Sequence, residues 1–401
     1  MKSWQGNYTA ILIAQTLAIV GFGFSYPILP LFLEEDIGIT DPVRLKTWVG
    51  LIHSSTAITL AIFAPIWGHL SDIFSRRIML IRSMFGGAII IALMSLVTSP
   101  WQLLVLRTIQ GCLSGMVAAA TIFVASISPA SHIALTLGLL QTSIAVGNSL
   151  GPLVGGIIAD FLGYRAAFIG TGILMGIAGL VVLVWVQEDF QPSSEKKAIK
   201  LRLLPDFRPI SGSTILIKMM FVTLGVQTAN SIAVPMIPLF LKNIAERAGE
   251  EIILIGSSTG VVLGVGAAFS ALAAVLVGKF AGRIGFHTSL IICFALAAAL
   301  SVPQAFAGNI FQLTVYRALS SFFIGGTMPL INAIIAVSSD RQQHGIIFGV
   351  NSSVSYIGGA FGPMIGSLAA MLDLRAVFWV SALILGISAL VIRKRAASTA
   401  R

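Results

Sequence analysis

Residues 101–107 read WQLLVLR, and 210 positions later residues 311–317 read FQLTVYR. Each run opens an apolar stretch long enough to cross a bilayer, and each sets one arginine inside it, Arg107 or Arg317. No other Lys or Arg lies so deep in an apolar segment. A charge at the centre of a membrane helix costs at least ~2.5–3.5 kcal/mol, so it marks a functional site by default. The competing reading is an arginine near a helix end whose head group snorkels to the interface. On either reading the chain spans a membrane and was assembled from two copies of one unit.

Composition agrees. Of 401 residues, 56% are hydrophobic and only 10% are charged, with mean hydropathy +0.95. Soluble domains carry about 25% charged residues, so this chain cannot cover a water-facing surface. Forty glycines suit transmembrane helices that pack closely. Cys112 and Cys293 sit in apolar runs and form neither a disulfide framework nor a metal spacing. The first apolar run has no charge over residues 3–33, too long for a signal h-region, and reads as a spanning helix. No P-loop or metal-ligand spacing occurs, so the chain is expected to be no enzyme and to need no cofactor. Without a nucleotide site, any transport would be driven by an ion gradient.

Twelve apolar runs are long enough to span: 8–33, 47–70, 78–98, 101–126, 134–159, 164–186, 213–241, 253–279, 287–307, 310–337, 345–371 and 375–392. The fold class is therefore an all-α integral membrane protein. Twelve crossings put both termini on one face. Of the 25 Lys and Arg, 17 fall on that face and six on the other, which places both termini in the cytoplasm of a bacterial inner membrane. The net charge of +10 is thus topology and attraction to membrane lipid, not a nucleic-acid footprint. Residues 187–212 carry three prolines and mixed charges between six helices and six helices. The expected division is a bundle over 1–189, a cytoplasmic linker over 190–212 and a second bundle over 213–401. Repetition supports it: YPILPLFL (26–33) matches VPMIPLFL (234–241), GHLSDIFSRR (68–77) matches GKFAGRIGFH (278–287), and GNSLGPLVGG (147–156) matches GGAFGPMIGS (358–367).

Two six-helix halves in parallel repeat, joined by a polar loop, resemble the major facilitator superfamily. Residues 68–77 resemble its loop 2–3 signature G-x-L-x-D-x-x-G-R-[KR], and residues 107–115, RTIQGCLSG, its helix-4 signature. Residues 147–156 resemble the G-x-x-x-G-P-x-x-G-G run of its drug:proton antiporters. PILPLFLEE and the FQP after the sixth helix are similar to MdtG-type multidrug exporters within it. The resemblance covers essentially the whole chain. It implies two pseudo-symmetric bundles that rock about a central site, a small-molecule substrate, protons as the coupling ion, and a monomer.

The residues themselves suggest four groups. Gly68, Asp72, Arg76 and Arg77 form a candidate conformational latch, in which Asp72 caps a helix N-terminus across the bundle interface. Ser75 replaces the glycine usual in that signature. Arg107, Gln110 and Gly111 are the candidate coupling group, since Gln110 lies nearly one turn from the arginine. That context makes Arg107 the copy expected to matter more than Arg317. Gly147, Gly151, Pro152, Gly155 and Gly156, with Gly362 and Pro363 in the second half, form a candidate seam between bundles. An ordinary packing seam within a bundle is the alternative. The candidate substrate cavity takes Gln15, Tyr26, His53, Gln227, Asn230, Asn332, Asn351 and Tyr356, although each taken singly is read more readily as a packing or interhelical hydrogen-bond residue. All fifteen acidic residues fall in loops or at helix ends, so no mid-membrane carboxylate is available to carry a proton. Such an apolar cavity suits lipophilic, cationic or zwitterionic compounds, and export of several of them is the expected function. A dedicated carrier for one solute such as a siderophore or metabolite, working inward, and a non-transporting receptor are the rivals.

Overall fold

The computed structural model describes residues 4–73, 75–129, 132–188, 208–249, 254–339 and 343–393. It is built of twelve helical crossings. The first half holds α1 (Trp4–Ser25), α2 (Pro42–Ile73), α3 (Arg76–Met94), α4 (Pro100–Leu113, resuming as Met116–Ile127), α5 (Ile133–Leu162) and α6 (Tyr164–Trp185). The second holds α7 (Thr214–Ala233, continued through Val234–Met236 into Ile237–Ala248), α8 (Ile255–Ile284), α9 (Phe286–Gln304), α10 (Ile310–Val337), α11 (His344–Leu372) and α12 (Ala376–Arg393). Short turns Leu29–Leu31 and Phe32–Asp36 extend α1. Among the described residues, eleven helical segments are long and apolar enough to cross a membrane. Large apolar side chains such as Leu96, Leu162, Leu183 and Leu372 lie exposed around the outside, where a soluble protein would not leave them.

The repeat fixes local structure first. Ser99 accepts from the Gln102 amide and Gln102 Oε1 accepts from the Thr98 amide at 2.8 Å. In the other copy Asn309 accepts from the Gln312 amide at 2.8 Å and Gln312 Oε1 from the Gly308 amide at 2.9 Å. Both are capping boxes, and they start the two arginine-bearing helices in the same register. The glutamine of each opening motif is thus a cap.

Packing repeats as well. In the first half α1 lies against α5 and α6, α3 against α6, and α2 against α4; in the second half α7 lies against α11 and α12, α9 against α12, and α8 against α10. Thr171 donates to the Gly21 carbonyl at 2.7 Å, and Ser381, 210 residues on, donates to Ala229 at 3.1 Å. Phe32 meets Phe168 edge to face at 5.0 Å, as Phe240 meets Phe378. Asn7 of α1 exchanges two hydrogen bonds with the Gln187 backbone, so the start of α1 and the end of α6 share a face. We call it the terminus face, and its opposite the far face.

Two expectations change. The run expected as one helix over 101–126 is broken at Ser114-Gly115, where Gly115 turns at φ +126°. Nor do Gly147, Gly151 and Gly155 form the seam between bundles. Gly147 packs on Ile19, Gly151 on Gly23 and Gly155 on Phe24, all in the same half. In α11, Gly362 packs on Ser231 and Gly366 on Ile232 of α7, again within one half. Helix 5 presents its four-residue glycine stripe to α1 because only backbone-to-backbone approach lets α1 sit between α5 and α6.

That placement predicts a sharp contrast. A Cβ at Gly151 meets Gly23 Cα at 2.8 Å, whereas at Gly176 it meets nothing within 4 Å. Gly151→Leu should cost about 1–3 kcal/mol or more of packing energy and lower the melting temperature in detergent, with Gly176→Leu near wild type. Equal melting temperatures would refute the α1–α5 contact.

Candidate functional site

Among the described residues the two halves meet chiefly through two helix pairs, α5 with α8 and α2 with α11. On α8 the stripe is Gly256, Gly260 and Gly264, spaced every four residues. A Cβ at Gly260 would collide with the Pro152 carbonyl, one at Gly264 with the Ser149 carbonyl, and one at Gly156 with the Gly256 carbonyl. Pro152 and Gly156 therefore lie against the other half, with α8 glycines as their partners. The signal for them, Gly256-x-x-x-Gly260-x-x-x-Gly264, stands in the sequence and has the form of a close-packing motif. Pro363 lies at the other pair: a Cβ on Gly50 would come within 3.3 Å of its carbonyl.

Polar contacts close the far face. Asp160 at the end of α5 accepts from the Gly256 amide at 2.9 Å and the Ser257 amide at 2.6 Å. It caps α8 from the opposite half, where the α8 N-cap residue Leu254 offers no side-chain bond. At the matching place of the repeat, Lys46 on α2 donates to the Ala370 carbonyl of α11 at 2.7 Å, and Ser367 donates to the Lys46 carbonyl. Glu34 and Lys242 pair at 2.8 Å. These last two occupy the same position of the duplicated PLFL segment, 208 residues apart, so a pseudo-two-fold axis brings opposite charges together.

The terminus face is different. Beyond Pro152, α5 and α8 diverge around a cavity of about 710 Å³ lined from both halves. Phe22 and Tyr26 come from the α1 side, Gln141 and Asn148 from α5, Asn230 from α7, Ser270 from α8, and Arg317 and Ser321 from α10. A Cβ on Gly138 of α5 or Gly349 of α11 meets nothing within 4 Å, in contrast to the glycines further along both helices. The protein is thus closed at the far face and open toward the terminus face.

The expected groups separate in this frame. Of the cavity candidates, Tyr26 and Asn230 line the cavity. Asn332 and Asn351 instead bond each other at 3.2 Å, with Thr223 donating to Asn351 at 2.7 Å, and so tie α7, α10 and α11 together. Gln227 packs beside Gly358, and Tyr356 is half-buried outside the cavity lining. Gln15 is fully buried in α1 with both amide atoms unpartnered. His53 sits behind Tyr26, its ring nitrogens at 3.0 and 3.2 Å from the Val49 and Tyr26 carbonyls and its ring edge-to-face with Tyr26 at 4.7 Å.

The two arginines differ in their surroundings. Arg107 is buried on α4 and bonds Gln110 at 3.2 Å, while Thr56 of α2 donates to the Arg107 carbonyl and Gly111 abuts Thr56 and Thr59. That face of α4 is packed on α2. Arg317 is the copy that lines the cavity.

The latch is described only in part: Gly68 and Asp72 lie on α2, but their side-chain surroundings fall outside what is described. Arg76 and Arg77 are placed: their amides donate to Glu188 at 3.3 and 2.8 Å, and Arg77 Nη2 donates to the Leu183 carbonyl at 2.6 Å. Ser75 donates to Glu188 at 2.5 Å and accepts from the Ile78 amide at 3.3 Å, so serine serves here as the N-cap of α3. Asp41 and Asp373 likewise accept from backbone amides two residues on. The described carboxylates therefore act at helix ends and far-face pairs. No cluster of three metal-ligating side chains occurs among the described residues.

Comparison with known proteins follows this geometry. The family model described as Major Facilitator Superfamily matches residues 11–302 and again 219–400. The Multidrug resistance protein MdtG of Salmonella arizonae is 32% identical over 381 residues, 95% of this chain and 93% of its own length. MdtG of Proteus mirabilis is 32% identical over 382 residues, with the same coverage of 95% and 93%. In fold, the chain resembles the crystal structure of a bacterial homologue of human lysosomal Spinster in an inward-facing, occupied conformation, with a TM-score of 0.79 at 12% identity over 99% of this chain and 98% of that one. The nucleoside transporter NupG gives a TM-score of 0.78 at 15% identity, over 96% and 98%.

The cap predicts a conformational effect. Asp160→Ala removes two bonds to the α8 N-terminus, worth about 0.5–2 kcal/mol, a roughly 2- to 30-fold shift away from the far-face-closed state. A cysteine at Leu153, beneath the seam, should label faster from the far face in that variant. An unchanged labelling rate would remove Asp160 from the closure.

Proposed function

Because this chain belongs to the Major Facilitator Superfamily and is an integral membrane transporter of small molecules and not an enzyme, we propose that it exports several unrelated hydrophobic or amphipathic compounds by alternating access, driven by protons. The observation that carries this reading is the cavity between the two halves, open at the terminus face and shut at the far face. Its wall is mostly apolar with a few amides and hydroxyls, which favours lipophilic solutes over sugars that need many hydrogen-bond partners. The named activity of the MdtG relatives, multidrug resistance, points the same way.

In this account the protein is a monomer in a bacterial inner membrane with both termini in the cytoplasm. Residues 1–189 and 213–401 move as two bodies joined by a linker over 190–212. Compounds enter from the terminus face, and the halves then rock so that the α5–α8 and α2–α11 contacts part. Gly68, Asp72, Arg76 and Arg77 close the terminus face in that second state. Tyr26, Asn230, Gln141 and Asn148 contact the solute. Arg107 and Gln110 set the electrostatics of the Tyr26–His53 pair beside the cavity, where the proton is handled without a mid-membrane carboxylate.

Inside-out vesicles test the function. Several unrelated dyes should accumulate in them on acidifying the lumen, and a protonophore should abolish the uptake. Movement of a single solute only, or flux in the opposite direction, would favour a dedicated carrier, and no flux across a broad panel would overturn transport of this kind.

A further inference from the structure

Arg317 is 7% exposed, lines the cavity and makes no hydrogen bond or ion pair to any described residue. Arg107, the other buried arginine among the described residues, donates from Nη1 to Gln110 while its Nε and Nη2 are sealed in the packed interior, so the arginine whose head group faces the cavity is Arg317. Other arginines near the apolar layer are also engaged. Arg82 stacks on Trp67 at 3.3 Å from the ring centroid, and Arg165 donates to the Ser95 and Val97 carbonyls. A desolvated cation without a counter-charge is strongly unfavourable unless something pairs with it. Among the described residues no carboxylate lies in the cavity wall, and Arg317 is the one charged side chain there. The partner of the Arg317 guanidinium therefore comes through the cavity, as water or as a group of the solute.

The surroundings define that group. Ser321 lies four residues on along the same face of α10, and Asn230 offers an amide from α7. Gly266 of α8 gives the arginine stem its room: a Cβ there would stand 3.4 Å from Arg317 Cγ and 3.1 Å from Ser321 Oγ. Across the cavity, Phe22 and Tyr26 form an aromatic pair, ring centroids 6.0 Å apart. A planar fork of donors with hydroxyl and amide neighbours on one wall, and aromatic surface on the other, matches one acidic group attached to an apolar body.

We propose that Arg317 is the anion-binding residue of this cavity, and that the preferred solutes are amphipathic acids carrying a carboxylate, sulfonate or phosphonate. The proposal rests on the cavity being the solute site and reverses the preference for cations expected from the sequence. A cationic solute would enter against the unpaired guanidinium.

The probe is dansylglycine, a fluorescent carboxylate, against its neutral methyl ester, with binding and transport measured on the full chain in nanodiscs and proteoliposomes. Wild type should bind the acid about ten- to a hundredfold tighter than the ester, the range of a charge-assisted bidentate pair. Arg317→Gln should erase that preference while still binding the ester, and Arg317→Lys should restore part of it. Ester binding is the control for folding. Wild type with no preference for the acid, or Arg317→Gln that keeps it, overturns the proposal. Competition by phosphatidylglycerol in wild type and not in Arg317→Gln identifies a lipid head group as the anion; its absence identifies the free acid. If other dyes are exported and wild type ignores the acid, only the anion site fails. If nothing is moved at all, the transport reading fails with it.

Discussion

A cavity that reaches halfway into a membrane is useful to a carrier only if the other half is shut, and here the shutter is backbone against backbone. Gly156 faces Gly256, Gly260 faces the Pro152 carbonyl and Gly264 faces the Ser149 carbonyl. Contact at that range leaves no room for side chains and gains little from burial against lipid, so it holds through van der Waals packing and the polar contacts beside it. Asp160 on the α8 N-terminus, Lys46 on the Ala370 carbonyl and Glu34 with Lys242 supply those contacts. Each is individually modest, half-exposed pairs especially. A closure made of modest terms is one that solute or a proton can reverse.

Duplication explains where these terms sit. Asp160 and Ala370 occupy equivalent positions, as do Lys46 and Gly256, so one ancestral contact between halves became an anionic cap on one side and a cationic donor on the other. Glu34 and Lys242 diverged at a single position to opposite charges. Identical charges there would repel across the axis. The interior followed another course. The capping boxes at Ser99 and Asn309 keep both arginine helices in register, yet Arg107 turned into a partnered residue packed on α2 while Arg317 stayed open to the cavity.

Much of this was legible in the sequence, for physical reasons. Helix lengths follow from the bilayer, the repeat follows from local matches, and both show in one dimension. The partner of a glycine stripe does not. Gly147, Gly151 and Gly155 announce close approach but not that α1, and not the other half, is what approaches. The caps were hidden because Asp160 at the far face and Glu188 at the terminus face act across 96 and 111–113 residues of chain. Amides such as Asn332 and Asn351 cannot be sorted into solute contacts or helix ties until the neighbouring helices are in place.

In this account α5 and α8 part where Gly156 meets Gly256 as they close around Gly138, opening one face as the other shuts. Spin labels at Leu162 and Leu254 report the far face, and labels at Leu135 and Ile284 the terminus face, each pair spanning the same two helices. Pulsed electron–electron resonance distances should change reciprocally when protons and an exported dye are added, the far-face pair lengthening as the terminus-face pair shortens. Distances at both faces that stay fixed, or that lengthen together, would contradict the account.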